Sequence, residues 1–283
     1  MTPPGTTMTP PVALTIAGSD SSGGAGIQAD LKTFAAFRVY GASVVTALTA
    51  QNTRGVNSVA PVEPAFVAQQ IAAVLDDLDV AAAKTGMVAR PPVIDAIVDA
   101  LHARPVPHLV VDPVMVASSG ALLLESGGVE RLRGRLLPLA TLVTPNLREA
   151  EVLTGRSVST PAEMADAARA LVDLGARAAL IKGGHLTVGR AGRLADEALD
   201  VFCDGRSVTE FSVVRVPIPN THGSGCTLSA AVVAGLALGR SLEAAIWAAK
   251  RYVARAIEAA FPLGHGATPL NHLVPADGPN EKP

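Results

Sequence analysis

Short, continuously apolar runs alternate with longer stretches of helical periodicity through most of the chain, and this alternation restricts the fold more than any other feature. Residues 12–17, 42–48, 80–84, 109–111, 141–143 and 178–181 read as buried strands. Residues 27–38, 64–76, 91–103, 128–137, 146–154 and 161–174 carry the helical period between them. Pro64, Pro91, Pro92 and Pro161 fall near predicted helix starts, where a missing N–H costs little. Gly41, Gly155 and Gly175 fall near predicted helix ends. Strands that are apolar on both sides need helices above and below them, so the order predicts a mainly parallel sheet in an α/β/α sandwich. After Ile181 the pattern changes. Residues 198–203 and 208–215 predict an antiparallel pair around an Asp204–Gly205 turn, followed by two long helices over 224–239 and 241–260. We read 12–274 as one domain, with 1–11 and 275–283 as flexible tails.

Charge and cysteine content remove several function classes. A net charge of -2 over 283 residues gives no field for nucleic acid or an anionic membrane. Two cysteines, Cys203 and Cys226, make no disulfide framework, and no Cys/His spacing matches a zinc site. Residues 1–11 have neither a cationic nor an apolar leader segment, and 225–239 is too short and Gly-interrupted to span a bilayer. The expectation is a reduced, cytoplasmic protein. Aromatics supply only 3% of the residues, so Ala, Val and Leu must fill the core.

The chemistry concentrates where predicted strands end. In Gly223-Ser224-Gly225-Cys226 a Gly-rich bend runs directly into a helix, whose first N–H groups have no intrahelical partners and carry a partial positive charge. Gly223 and Gly225 let the backbone approach an anion such as a phosphate. Cys226, in the first turn, is where a thiol pKa falls, although a small buried hydrophobe reads the same way. Residues 18–26 hold four glycines and three serines after the first strand, suited to a small polar molecule or to a plain connection. Gln51-Asn52 ends the second predicted strand, and a neutral amide can pair with a heterocycle's edge. Asp112 and Glu149, at two further strand ends, can together hold a hydrated Mg²⁺. Asn146 and Glu149 also read as a capping box, and the two readings are compatible. Lys182, at another strand end, offers a cation to phosphate oxygens. An anion cradle beside these groups points to phosphoryl transfer.

Taken together and in this order, these segments resemble the ribokinase-like family of small-molecule kinases, and within it the hydroxymethylpyrimidine and phosphomethylpyrimidine kinases. The matching pieces are residues 13–18, 22–34 (Ser-Gly-Gly-Ala-Gly-Ile-Gln-Ala-Asp-Leu-Lys-Thr-Phe), 46–55, 112–116, 144–150, 182–185 and 220–230, spanning essentially all of 12–272. The resemblance implies a three-layer ribokinase-like fold, ATP as co-substrate with Mg²⁺, and phosphorylation of the hydroxymethyl oxygen of 4-amino-5-hydroxymethyl-2-methylpyrimidine, then of its monophosphate. It implies that Gln51 pairs with the pyrimidine edge, that Gly18, Ala25, Met87 and Val114 line its pocket, and that Asp30 lies beside them. The amides of Gly223, Ser224, Gly225 and Cys226 become the anion hole, with Lys182 and a metal held through Asp112 and Glu149 offsetting phosphate charge. Cys226 is the family's candidate base, where sugar kinases of the superfamily usually carry Asp. A homodimer is implied as well. Three positions depart from the pattern: Ser118 where Lys is frequent, Thr85 for Ile, and Ser21 for Pro. Pyridoxal, another flat hydroxymethylated heterocycle, is the competing substrate. A non-catalytic binding protein is the competing class.

Overall fold

The computed structural model describes residues 9–116, 120, 123–184, 186, 197–218 and 221–277. Ser118, His185 and Asn220 lie outside them. The first half of the chain contains β1 (Val12–Ala17), α1 (Gly26–Ala36), β2 (Tyr40–Val45), β3 (Ala47–Asn52), β4 (Gly55–Pro61), α2 (Pro64–Leu75), β5 (Val80–Thr85) and α3 (Pro91–Ala103). Then follow β6 (Leu109–Val111), α4 (Gly128–Arg131), β7 (Leu142–Val143), α5 (Leu147–Thr154), α6 (Pro161–Asp173), β8 (Ala179–Lys182), β9 (Glu197–Cys203) and β10 (Val208–Val214). The last elements are β11 (Thr221–His222), α7 (Ser224–Ala237), α8 (Leu242–Glu258) and β12 (Thr268–Pro269).

An eight-stranded sheet in the order β10-β9-β8-β7-β6-β5-β1-β2 runs through the centre. Pairing is parallel from β2 to β8, and β9 and β10 add antiparallel strands at one edge. Side chains alternate across it as strand geometry demands. Leu14, Ile16, Ala83, Val111 and Ile181 face one layer with α2, α3, α5 and α6. Ala13, Ala82, Val110, Leu180 and Phe202 face the other, built from α1, α7 and α8. The alanines on this second face let α7 lie close to the sheet, and α7 itself is buried nearly all round.

Local chemistry explains the helix boundaries. α2, α3 and α6 start on proline as expected. Asn146 and Thr160 cap α5 and α6 in complete capping boxes, and Gly155 closes α5 with φ 70°.

The structure corrects several expectations. The run 42–48 is not one strand: it breaks at Thr46, whose hydroxyl donates to the Met87 carbonyl, and the chain leaves the sheet to form the antiparallel β3–β4 hairpin. Gln51-Asn52 therefore ends the third strand. Gly41 lies inside β2, because α1 stops at Ala36 and Arg38 takes φ 59°. The helix expected over 128–137 is a single α-turn followed by a π-turn over Leu132–Leu136 and a 3-10 turn over Leu137–Leu139, where Pro138 has no N–H to continue the ladder. The chain is packed beyond residue 274, since Ala276 is buried and its carbonyl accepts from Arg255.

Candidate active site

The carboxyl ends of β1, β5, β6, β7 and β8 share one edge of the sheet, and the first turn of α7 descends onto that edge. Gly223, at φ 87°, caps α7 in the left-handed region. A Cβ there would come within 1.9 Å of the Gly24 carbonyl, so only glycine lets this bend pack against the loop that opens α1. The N-terminus of α1 is correspondingly near, and the Gly26 amide approaches the Cys226 thiol.

Beneath the first turn of α7 lies a buried charge cluster. Lys182 Nζ is 2.8 Å from Asp112 Oδ1, and Asp112 also accepts from Ser229 of α7 at 3.2 Å. A Cβ on Gly225 would meet Lys182 Nζ at 3.2 Å, so the absence of a side chain leaves the cation open to whatever the helix end binds. Burial alone would lower the Lys182 pKa, but Asp112 and Glu149 outweigh it and hold it at about 12. Burial would raise Asp112, but Lys182 and Lys84 keep it below the ordinary carboxylate range. Glu149 is pushed up, mainly by its burial. Its carboxylate accepts from the Asn146 amide at 2.8 Å, so the capping role is realised beside the cluster. Among the described residues no group of three or more His, Cys, Asp or Glu forms a metal cage. Two neighbouring carboxylates with a lysine fit a hydrated Mg²⁺ whose other ligands are water and phosphate.

The fate of Cys226 reverses the sequence expectation. Burial pushes its thiol up to about 11, and the nearby Lys84 charge only partly offsets this. The helix-terminus argument lowers a thiol pKa in a solvated first turn, whereas here desolvation dominates. At neutral pH Cys226 is a neutral thiol.

At the other end of the site, Gly18 follows β1, and a Cβ on it would press within 3.0 Å of Met87 Sδ. Met87, Val114, Ala47, Ala89 and Leu123 make a small apolar wall. A cleft of about 380 Å³ continues beside Met87, between β4 and residues 123–126. Ala25 caps α1, and its amide donates to Asp20. Gln51, at the tip of β3, is held by Ser21, whose hydroxyl donates to the Gln51 carbonyl and accepts from its amide. Serine at position 21, where the resemblance has proline, thus supplies both bonds. Asp30 sits below the pocket, fully buried, with Lys84 Nζ at 2.7 Å and the Thr15 hydroxyl at 2.7 Å. Its carboxylate is taken up by those two partners.

Three groups here carry no signal at the level of spacing. Asp20 accepts from the amides of Ser22, Gly24 and Ala25 and lies 3.0 Å from His222 Nε2, 202 positions away. Burial would raise the Asp20 pKa, but the bonds from His222 and Ser22 bring it down to about 2. The same Nε2 is 3.1 Å from the Gln51 amide nitrogen. His222 Nε2 thus bridges the Asp20 carboxylate and the Gln51 side-chain amide, tying the loop before α1, the hairpin tip and the strand that leads into α7. Lys84, the third, could have been flagged as a charge inside an otherwise apolar strand.

The chain matches the model of a family described as phosphomethylpyrimidine kinase over residues 20–271. It is 53% identical over 265 residues to a hydroxymethylpyrimidine/phosphomethylpyrimidine kinase of Rhizobium meliloti, covering 93% of this chain and 97% of that protein. It is 51% identical to a thiamine biosynthesis bifunctional protein of Geobacter sulfurreducens, covering 93% of this chain but only 52% of that longer protein. The structure is similar, with a TM-score of 0.83 and 37% identity, to a Bacillus subtilis pyridoxal kinase solved as an ADP complex, over 93% of this chain and 98% of that one.

Proposed function

The chain belongs to the phosphomethylpyrimidine kinase family, and from that premise we propose that it uses ATP to phosphorylate 4-amino-5-hydroxymethyl-2-methylpyrimidine and then its monophosphate, for thiamine biosynthesis. The observation that carries the reading is the junction of two unlike surfaces. An amide edge and an apolar wall suited to a flat heterocycle open onto a lysine, two carboxylates and a helix N-terminus suited to phosphates.

In the first reaction the hydroxymethyl oxygen bonds to the γ-phosphorus as the bond from that phosphorus to the β–γ bridging oxygen breaks, and ADP leaves. In the second, a phosphate oxygen of the monophosphate attacks in the same way. Gln51 and the wall of Met87 and Val114 hold the ring, with Gly18 and Ala25 closing the near side. The amides of Gly223–Cys226 receive the transferring group, and Lys182 offsets the charge gathering on it. Asp112 and Glu149 would hold a Mg²⁺ ion, which would neutralise phosphate charge when bound. A loose transition state asks little of a base, so a neutral Cys226 thiol suffices as a contact beside the acceptor oxygen, whose proton leaves late, to an oxygen of the transferred phosphoryl group. Among the described residues no helix is long and apolar enough to cross a membrane, in keeping with a cytoplasmic enzyme. The exposed Tyr40 on edge strand β2 supports a homodimer.

Coupled ADP release with ATP and Mg²⁺ tests the reading on the pyrimidine alcohol, its monophosphate and pyridoxal in parallel. Turnover of both pyrimidines with pyridoxal much poorer is expected. Turnover of pyridoxal alone, which the likeness to pyridoxal kinase favours as the second reading, would overturn the substrate. No turnover with any of them would leave a binding protein.

A further inference from the structure

The mechanism above uses neither Asp200 of β9 nor Lys250 of α8, yet they form a buried ion pair. Lys250 Nζ lies 2.6 Å from Asp200 Oδ2, and the two side chains are 5% and 7% exposed. The other oxygen, Asp200 Oδ1, accepts the Gly183 amide at 3.0 Å. Gly183 is the residue immediately after Lys182, and Lys182 is the register partner of Asp200 across the antiparallel β8–β9 pair.

The peptide units on both sides of Lys182 are therefore tied. Its own amide donates to the Pro145 carbonyl at 2.8 Å, and the next amide is held by Asp200. Gly183 also packs too closely for any side chain, because a Cβ there would lie 2.0 Å from the Leu199 carbonyl and 2.9 Å from Met164 Cε. A buried ion pair is weak support for stability, since apolar residues of similar volume often do as well. Its position suggests a different role. A charge-assisted bond to a single amide stiffens the backbone at the point where β8 delivers its lysine. We propose that the Asp200–Lys250 pair is a positioning device for Lys182: it clamps the Gly183 amide so that the Lys182 ammonium stays against Asp112 and beneath the first turn of α7. This rests on the reading that Lys182 acts on the transferring phosphoryl group.

Two double variants test it, each removing both charges so that none is stranded. Asp200→Asn with Lys250→Gln keeps an acceptor for Gly183, while Asp200→Leu with Lys250→Met removes it. The first is expected to keep kcat within about threefold of the unaltered enzyme. The second is expected to lose roughly 10- to 100-fold in kcat with the pyrimidine KM within about twofold, as misplacing a group by about 1 Å does. Hydrogen exchange at the Gly183 amide gives a readout without turnover: it should be roughly 100-fold faster in the Leu/Met variant alone. Unchanged exchange there, or equal kcat losses in both folded variants, would overturn the clamp. If the unaltered enzyme transfers no phosphate, the functional reading falls, and the exchange rates still decide the clamp. Should the Leu/Met variant not fold, Asp200→Asn/Lys250→Gln with exchange as fast as in an unfolded segment would equally overturn it.

Discussion

The phosphate end and the ring end of the site rest on different supports. Asp112, Glu149 and Lys182 stand at the ends of sheet strands or on the helix that follows, are nearly all buried, and are charged. Gln51, Ser21 and His222 sit on a hairpin tip, a loop and a two-residue strand, and are half-buried or exposed. One end is fixed by the sheet and works through charge. The other is mounted on connections, held together by the bonds of Ser21 to Gln51 and of His222 to Asp20. On the proposed function, the division assigns transfer to the sheet end and choice of ring to the hairpin end.

The largest expected effect follows from removing the charge. Lys182→Met should lower kcat by about 10²- to 10³-fold, a typical cost for one preorganised electrostatic group, with the pyrimidine KM within about threefold. Steady-state kinetics read both, and a rise in KM with unchanged kcat would break the division. Cys226→Ser, which changes a contact beside the acceptor oxygen, should cost about tenfold in kcat through misplacement of that oxygen, with a smaller change in KM. Because the thiol is held up near 11, alkylation of Cys226 by iodoacetamide should be slow at pH 7 and rise about tenfold per pH unit up to about pH 10. A plateau below pH 8 would restore the preformed thiolate.

At the ring end, Gln51→Ala should raise the pyrimidine KM by about tenfold, equivalent to about 1.4 kcal/mol, while kcat stays within about threefold. An unchanged KM would take Gln51 out of ring recognition.

The next effect concerns support of the phosphate end. His272 lies 2.9 Å from the Thr227 hydroxyl of α7, and burial pushes its pKa down to about 4. The unfolded chain then binds a proton below about pH 6.5 that the folded chain refuses until about pH 4. Stability is therefore full above about pH 6.5 and falls by about 2–3 kcal/mol on going down to pH 4. Denaturant unfolding across that range should show a slope that His272→Asn flattens. The smallest effect belongs to Thr85, whose buried hydroxyl has no hydrogen-bond partner among the described residues. Thr85→Val should add about 1 kcal/mol of stability and leave both kinetic constants unchanged.

Much of this architecture was readable in the residues. Parallel strands buried on both faces announce themselves as short apolar runs, and a ligand site at their carboxyl ends follows from the topology, so Asp112, Lys182 and the Gly223–Cys226 turn could be singled out in advance. The β3–β4 hairpin escaped because 55–61 is largely exposed and lacks an apolar run, and because the break at Thr46 depends on a hydrogen bond to a residue 41 positions away. Asp20 with His222, and Asp200 with Lys250, are pairs made by tertiary packing, which no spacing rule encodes. The Cys226 pKa went the wrong way because the local argument counted the helix end and not the burial imposed by β5 and α1.

A double-mutant cycle on Lys182→Met and Gln51→Ala tests the division most directly, read as kcat/KM for the pyrimidine alcohol. Independent ends predict that the two losses add within about 0.5 kcal/mol. A coupling above about 1 kcal/mol would mean that ring and phosphate recognition are one unit, and would contradict the account.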